Sequence, residues 1–304
     1  MDSTVAVLWD SEVDWDGDNL FKKDYMDSSY VVFSEIAEEK GGQILVGNFS
    51  WYSDGEMKKA YQFSDGSWQK VENVSVDGIF DKFKFDDETV PIKKKMHEDL
   101  PVLNNYELEK ICKDKLLTYE KIREATRENV SEMLERFEKV VLKPRYDFGG
   151  EGVRIIDSIE ELELDDDLLV QRLVDSSDGI PELEVDGVHD LRVIIVNGEK
   201  STSFVRTPDE GLISNVSRGG TMHNVELENI PESVQPVIDE VEDVFGDLGN
   251  RVYAIDFIFD EEDRPWILEM NSKPGLVFYD DPEVREWKEP FMERVVETLL
   301  EMIR

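Results

Sequence analysis

The sequence predicts an α/β fold assembled from α+β lobes, and three observations carry that expectation. A β-rich run at residues 4–9, a helical stretch at 28–40 and a second apolar run at 44–49 form a β-α-β opening with Rossmann-like layering. Asn197-Gly198, set between two β-rich runs, is a strong two-residue hairpin signal. A further hairpin over 251–276 sets two carboxylates opposite one another within otherwise apolar strands.

At 304 residues the chain is long enough for two or three lobes and a sizeable core. Lys and Arg number 34 against 71 Asp and Glu, a formal net charge of -37. That imbalance repels a phosphate backbone, so nucleic acid is not an expected partner. With 40% hydrophobic residues and six Trp, the acidity does not signal disorder. The charges are spread along the chain with no acidic tail, which predicts a surface adapted to multi-molar salt, where the Debye length falls to about 3 Å. The single cysteine, Cys112, rules out an intramolecular disulfide, fits a reducing cytosol and is expected to pack in a helix. No basic segment precedes the apolar residues 5–9 and none approaches 18 apolar residues, so neither signal peptide nor membrane span is expected and the predicted location is cytoplasmic. Three His and one Cys make a zinc site unexpected.

Taken in order, residues 4–9 read as a buried first strand, followed by a polar loop at 10–27. Val31, Val32, Ile36 and Ala37 give the helical spacing of 28–40, and Gly41-Gly42 stops it. No G-x-G-x-x-G follows the first strand, so no dinucleotide site is expected. Residues 59–71 form a hairpin turning at Asp65-Gly66, and 76–83 and 100–104 are further strands. From Tyr106 the spacing predicts helices over 107–123 and 128–139, strands at 140–143 and 153–156, an acidic helical stretch through Asp167, and a strand at 168–173. The last lobe opens with strands at 191–196 and 201–206, then a helix at 231–248, the 251–276 hairpin and an amphipathic helix from about 282 to 303. The expected domains are 1–104, 105–173 and 174–304.

In the hairpin, residues 252–259 are β-branched and aromatic, 261–264 a polar break and 266–270 apolar again. A turn centred between Glu262 and Asp263 sets Asp256 opposite Glu269, with Cβ atoms roughly 4.5 to 5.5 Å apart. Such a pair costs free energy unless a cation joins it. Asn271, two residues on, shares the face of Glu269, and the three oxygens suit Mg²⁺ or Mn²⁺. The other reading is that Asp256 caps a bend and Glu269 is solvated.

Residues 140–152, VVLKPRYDFGGEG, end a strand at Lys143 before a loop containing Gly149, Gly150 and Gly152. Loop amides that approach closely and a lysine point charge suit an anion, although no Lys-Ser or Lys-Thr follows as in a Walker A loop, and a plain β-turn stays open. Asp190 and Arg192 share one strand face, Arg206 ends the returning strand, and a loop at 215–220 carries Asn215 and Arg218. Guanidinium groups match phosphate oxygens in fork geometry; salt bridging to surplus carboxylates is the alternative.

Lys115, Lys143 with its glycine loop, Gln171-Arg172-Leu173, Asp190-x-Arg192, the 215–220 loop and the Asp256, Glu269, Asn271 trio stand in the order found in ATP-grasp ligases. The chain resembles the branch of glutathione synthetase and ribosomal-protein glutamate ligase over roughly 100–278, most specifically at 269–276, EMNSKPGL. Residues 1–100 resemble the family's preceding domain only in layout. The resemblance implies that Lys115 and Lys143 contact ATP phosphates, that the loop with Gly149 and Gly150 closes over them, and that backbone at Gln171, Arg172 and Leu173 bonds adenine. It places Asp190 and Asn215 with the nucleotide, Mg²⁺ on Asp256, Glu269 and Asn271, and Arg192, Arg206 and Arg218 at the transferred phosphoryl group. Arg172 stands where an acidic residue is usual, and Ile213 where many relatives carry arginine.

The implied reaction is carboxylate activation through an acyl-phosphate, followed by amide formation with an amine. The partners are then a small-molecule or peptide carboxylate and an amine acceptor. Relatives commonly form dimers or tetramers, which leaves a homo-oligomer open. Two other readings remain: an ATP-binding module without catalysis, and a phosphoryl transferase that stops before amide formation.

Overall fold

The computed structural model describes residues 3–15, 20–118, 123–146, 151–208 and 220–304. Strand β1 (Ser3–Trp9) and β2 (Gly42–Asn48) pair in parallel across helix α1 (Asp24–Glu39), as the opening pattern predicts. Strand β1 is a continuous apolar run because both of its faces are covered. Val5, Val7 and Trp9 pack with Phe33 on one side, and Ala6 and Leu8 with Leu45 and Phe83 on the other. The sheet continues through β3 (Tyr52–Ser53), β4 (Glu56–Ser64), β5 (Ser67–Ser75), β6 (Gly78–Asp81) and, after α2 (Val90–Asp99), β7 (Val102–Leu103). Its order is β3-β4-β2-β1-β6-β7, with β5 on β4. Asp65 and Gly66 turn that hairpin with φ of 51° and 76°, both in the left-handed region a two-residue turn of this type requires.

A second, four-stranded sheet follows α3 (Tyr106–Lys113) and α4 (Lys115–Thr118). It comprises β8 (Arg123–Glu124), β9 (Val140–Pro144), β10 (Arg154–Ile156) and β11 (Leu168–Arg172) in the order β10-β9-β11-β8, with α5 (Arg127–Phe137) on one face. Two helical expectations fail here. The stretch 107–123 breaks at Asp114, whose carboxylate accepts Arg145 Nε and Nη2, both at 2.6 Å, and the Leu116 amide at 3.1 Å; Arg123 begins a strand. The acidic stretch before Leu168 forms only a short 3-10 turn, Ile159–Glu161. Six carboxylates crowd residues 160–167, and like charges at helical spacing repel.

The third sheet contains β12 (Asp190–Val196), β13 (Glu199–Thr207), β14 (Thr221–Asn224), β15 (Val252–Phe259) and β16 (Pro265–Asn271). It is antiparallel in the order β14-β13-β12-β15-β16, and β12 turns into β13 at Asn197-Gly198. Leu191, Val193, Tyr253 and Ile255 pack against Ile238 and Phe245 of α6 (Gln235–Phe245). On the opposite face, Ile194, Val196 and Ala254 join a core with Phe291 and Val295 of α7 (Pro282–Met302) and with Val7 and Phe33 of the first sheet. The last helix thus returns the chain to its first sheet, and the third sheet presents one face to that junction. Among the described residues no helix is long and apolar enough to cross a membrane.

Candidate active site

Strand alternation places Asp190, Arg192, Arg206 and Asp256 on the face of the third sheet away from α6. Arg192 pairs in register with Asp256, which faces Glu269 on β16. Regular alternation alone does not produce this arrangement. Ile267 and Met270 both pack on the α6 side although they are three residues apart. A β-bulge at Leu268 absorbs the odd residue: Asp256 pairs with Glu269, but Phe257 pairs with Ile267. The expected turn centre describes the inner half of the ladder, Ala254 with Asn271 through Asp256 with Glu269, and the outer half is one residue tighter.

The two facing carboxylates have unequal surroundings. Asp256 is 2% exposed; Arg192 grips it through Nε to Oδ1 and Nη2 to Oδ2, both at 2.6 Å, and Arg206 Nη2 adds a bond to Oδ2 at 2.8 Å. Burial disfavours its ionised form, but the two guanidinium groups outweigh that and hold its carboxyl below the usual range. Arg206 also donates from Nε to Asp190 Oδ1 at 2.7 Å. Glu269 Oε1 is buried with no hydrogen-bond partner among the described residues. Burial, and then the Asp256 charge, push the Glu269 carboxyl up, against the pull of Lys115, Arg192 and Lys143.

Lys143, at the end of β9, is 6% exposed. Burial, and then the neighbouring Lys115 ammonium, lower its pKa to about 8, while Glu269 works the other way. Lys115 Nζ approaches Arg145 O at 3.4 Å. Gln171 shares the Lys143 face of the second sheet, because Val141 and Lys143 pair with Gln171 and Leu169; Arg172 points to the α5 side. Leu173 follows the end of β11. The structure therefore brings Lys115, Lys143, Arg192, Asp256 and Glu269 within electrostatic reach of one another, with Arg206 and Asp190 alongside. Gly149, Gly150, Asn215 and Arg218, together with Ile213, lie outside the described residues.

The donor set fits a hard cation. Glu269 Oε1 is an orphaned buried oxygen, and Asp256 Oδ1 accepts one bond and keeps a second lone pair. Asn271 Oδ1 accepts the Lys273 amide at 2.8 Å and likewise retains capacity. Among the described residues no three His, Cys, Asp or Glu side chains cluster for a metal, so Asp256 and Glu269 need oxygens from Asn271 and from a ligand.

Several neighbouring groups lie outside the sequence motifs, although Lys273 and Leu276 belong to the 269–276 stretch. A second cleft of about 270 Å³ lies between the first sheet and the loop after β16, lined by Trp9, Glu12, Tyr25, Lys82, Lys273 and Leu276. Lys82 Nζ donates to Pro274 O at 3.0 Å, and Lys288 Nζ to Gly275 O at 3.3 Å. Burial first, then neighbouring cations, lower both ammonium groups to about 7. Asn104 clamps the same region, donating from Nδ2 to Val252 O at 2.6 Å and to Ser272 O, and accepting the Val252 amide at 2.6 Å. The one available signal was Lys288, which sits in phase with the buried positions Val284, Phe291 and Val295 of α7.

Comparison with known proteins identifies the fold and the family. The family model described as "ATP-grasp domain" matches residues 112–275, more than half of the chain. No curated protein matches the sequence. Among solved structures, the chain is similar to the D-alanyl-alanine synthetase A of Vibrio cholerae, with a TM-score of 0.64, 15% identity and coverage of 100% of this chain and 99% of that one. It is similar to the VanG D-Ala:D-Ser ligase of Enterococcus faecalis at TM-score 0.62 and 10% identity, with 100% of both chains covered. A Chryseobacterium gregarium RiPP-associated ATP-grasp ligase, solved with ADP and a leader and core peptide, aligns at TM-score 0.59 and 12% identity over 98% of this chain and 97% of that one. The fold is the α/β ATP-grasp fold, and the chain belongs to the ATP-grasp family.

Proposed function

We propose that the protein is an ATP- and Mg²⁺-dependent carboxylate–amine ligase, related within its family to the glutathione synthetase and ribosomal-protein glutamate ligase branch. The observation that carries this reading is the unpartnered Glu269 oxygen opposite Asp256, in electrostatic reach of Lys115 and Lys143. In this reading residues 1–104 and the loop after β16 shape the acceptor cleft, 105–173 covers the nucleotide, and 174–304 carries the metal ligands and arginines. The substrates are a small-molecule or peptide carboxylate and an amine acceptor; a leader and core peptide are bound in one of the similar structures, and another is a D-alanyl-alanine synthetase. A homo-oligomer in a salt-rich cytoplasm completes the proposal.

The substrate carboxylate attacks the γ-phosphorus of ATP, giving an acyl-phosphate and ADP. An amine nitrogen then attacks the acyl carbon, loses a proton, and phosphate leaves as the amide forms. The difficulty is bringing a carboxylate to a triphosphate, so the protein's contribution is positioning and charge neutralisation. Lys115 and Lys143 meet phosphate oxygens. Backbone groups at Gln171, Arg172 and Leu173 hold the base, Asn215 of the 215–220 loop binds the nucleotide, and the loop with Gly149 and Gly150 excludes water that would hydrolyse the acyl-phosphate. Arg192 and Arg206, with Arg218, face the transferred phosphoryl group, and the Asp190 carboxylate supports a role in aiming Arg206. Asp256, Glu269 and Asn271 would hold Mg²⁺, which when bound supplies Lewis-acid neutralisation of phosphate oxygens.

The test is ADP release from ATP, Mg²⁺ and pooled amino acids or peptides in high-salt buffer, with products identified by mass spectrometry. Wild type is expected to release ADP and form an amide, and Lys143→Met and Glu269→Gln are expected to release little. ATP binding with no turnover identifies a binding module, and ADP release without amine identifies a phosphoryl transferase.

A further inference from the structure

Four of the chain's fourteen arginines converge on one crevice at the end of β11, lined mainly from the face turned away from Lys143 and reached by Gln171 from the Lys143 face. Register fixes the sidedness, since Val140 pairs with Arg172 and packs towards α5, whereas Val141 and Lys143 point the other way. The Arg172 guanidinium lies between two rings, 5.4 Å from the centroid of Phe137 and 5.3 Å from that of Trp266. Arg136 lies 4.9 Å from the same Phe137 ring. Together with Arg123 and Arg264 they line a crevice of about 440 Å³ between α5, β8, the end of β11 and the start of β16.

The charge there reverses that of the molecule. Against 71 acidic residues in the chain, the described lining holds a single carboxylate, Glu132, which meets Arg123 at 2.9 Å. Arg264 is shared with Asp260 and Glu262, each at 2.8 Å. Arg136 and Arg172 meet no carboxylate among the described residues and are held against aromatic rings. A guanidinium stacked on a ring keeps its N–H edge for an anion, and the ring fixes its plane before the ligand arrives. The volume is that of a small-ligand pocket.

We propose that this crevice binds a small polyanion, a ligand bearing at least two phosphate or carboxylate groups, through side chains on the α5 side of the second sheet, adjoining at Gln171 and Arg172 the backbone assigned to the base but apart from Lys115 and Lys143. Arg136 and Arg172 are its principal donors, with Phe137 and Trp266 backing them. Phosphate and carboxylate present the same chemistry to a guanidinium fork, and two probes distinguish them.

The experiment is isothermal titration of the whole protein, free of divalent metal and at constant ionic strength, with pyrophosphate and separately with citrate. At least one probe is expected to bind wild type and Lys143→Met alike. Arg136→Ala is expected to weaken that binding tenfold or more, with Arg136→Lys recovering part of the loss, and Arg172→Gln to weaken it further. Arg136 is exposed, so its variants report on binding without disturbing the core. Pyrophosphate binding alone assigns the site to phosphorylated ligands, and citrate binding alone to polycarboxylates. Binding of neither probe, wild-type affinity in Arg136→Ala, or loss in Lys143→Met overturns the proposal.

Discussion

Asp256 and Glu269 face each other across one rung of the β15–β16 ladder, and among the described residues guanidinium groups bond Asp256 while Glu269 Oε1 accepts no hydrogen bond. Arg192 and Arg206 bond three times to one side of the rung, and the other keeps a buried oxygen with no partner among the described residues. Glu269→Gln should therefore separate binding from stability. It is expected to weaken Mg²⁺-dependent ATP binding at least tenfold in calorimetry and to raise the metal-free melting temperature at neutral pH. The Glu269 carboxyl is raised above its usual 4.5 in the fold, so its favourable contribution is complete below about pH 4.5 and is lost as pH rises through the folded value. Melts of wild type should thus lose more stability than Glu269→Gln between pH 4 and pH 8, and parallel curves would contradict this account.

Lys143 should show the same opposition with the sign of charge reversed. Its folded pKa is depressed from 10.5 to about 8, so its contribution to stability is complete above about pH 10.5 and is lost as pH falls through 8. At neutral pH the ammonium is a cost to the fold that a triphosphate would offset. Lys143→Met is expected to melt higher than wild type at pH 7 without nucleotide, and to lose about 10²-fold in turnover, the typical loss on deleting one electrostatic donor. Wild-type ATP affinity should fall as pH rises through about 8, a decline absent from the variant.

What the sequence made legible follows from the range of the contacts. The Asp256–Glu269 rung spans a short turn, and the Asn197-Gly198 hairpin brings Arg192 and Arg206 to one face, so local pairing rules reach both. Leu268 was invisible because one extra residue preserves the inner register while shifting the outer one. Arg123 read as helix because its periodicity was amphipathic, and pairing with Val170 overrode that. The lysines at the second cleft meet backbone on distant segments, as Lys82 meets Pro274, and no local pattern encodes such contacts.

Lys93 marks the contact between the first sheet and the loop that follows β16. It is 2% exposed and pairs with Asp81 and, at 3.2 Å, with Glu109, while Lys273 meets the same two carboxylates at 2.9 and 3.4 Å. Lys93→Met leaves two buried carboxylates on one remaining cation, and breaking a buried pair this way costs about 3–5 kcal/mol. Urea unfolding should show that loss. Asp81→Asn combined with Lys93→Met removes the unbalanced charge and is expected to recover part of it; a double variant no better than the single would place the cost in packing.

Net charge sets the last expectation. With -37 on 304 residues, self-repulsion acts across the whole surface in dilute buffer, where the screening length is about 10 Å at 0.1 M salt and about 3 Å at 1 M. The ion pairs on the exterior, such as Lys70 with Glu72, are exposed and too few to balance the carboxylate excess. The buried Arg192–Asp256 and Lys93–Asp81 pairs are shielded from solvent ions and are far less sensitive to salt. Lowering salt should consequently strain the fold through its surface before it loosens the candidate site. Circular dichroism during dialysis from multi-molar to millimolar salt is expected to show loss of structure, with the melting temperature rising steadily with salt. An unchanged spectrum and melting temperature across that range would show that the acidic surface serves some purpose other than salt tolerance.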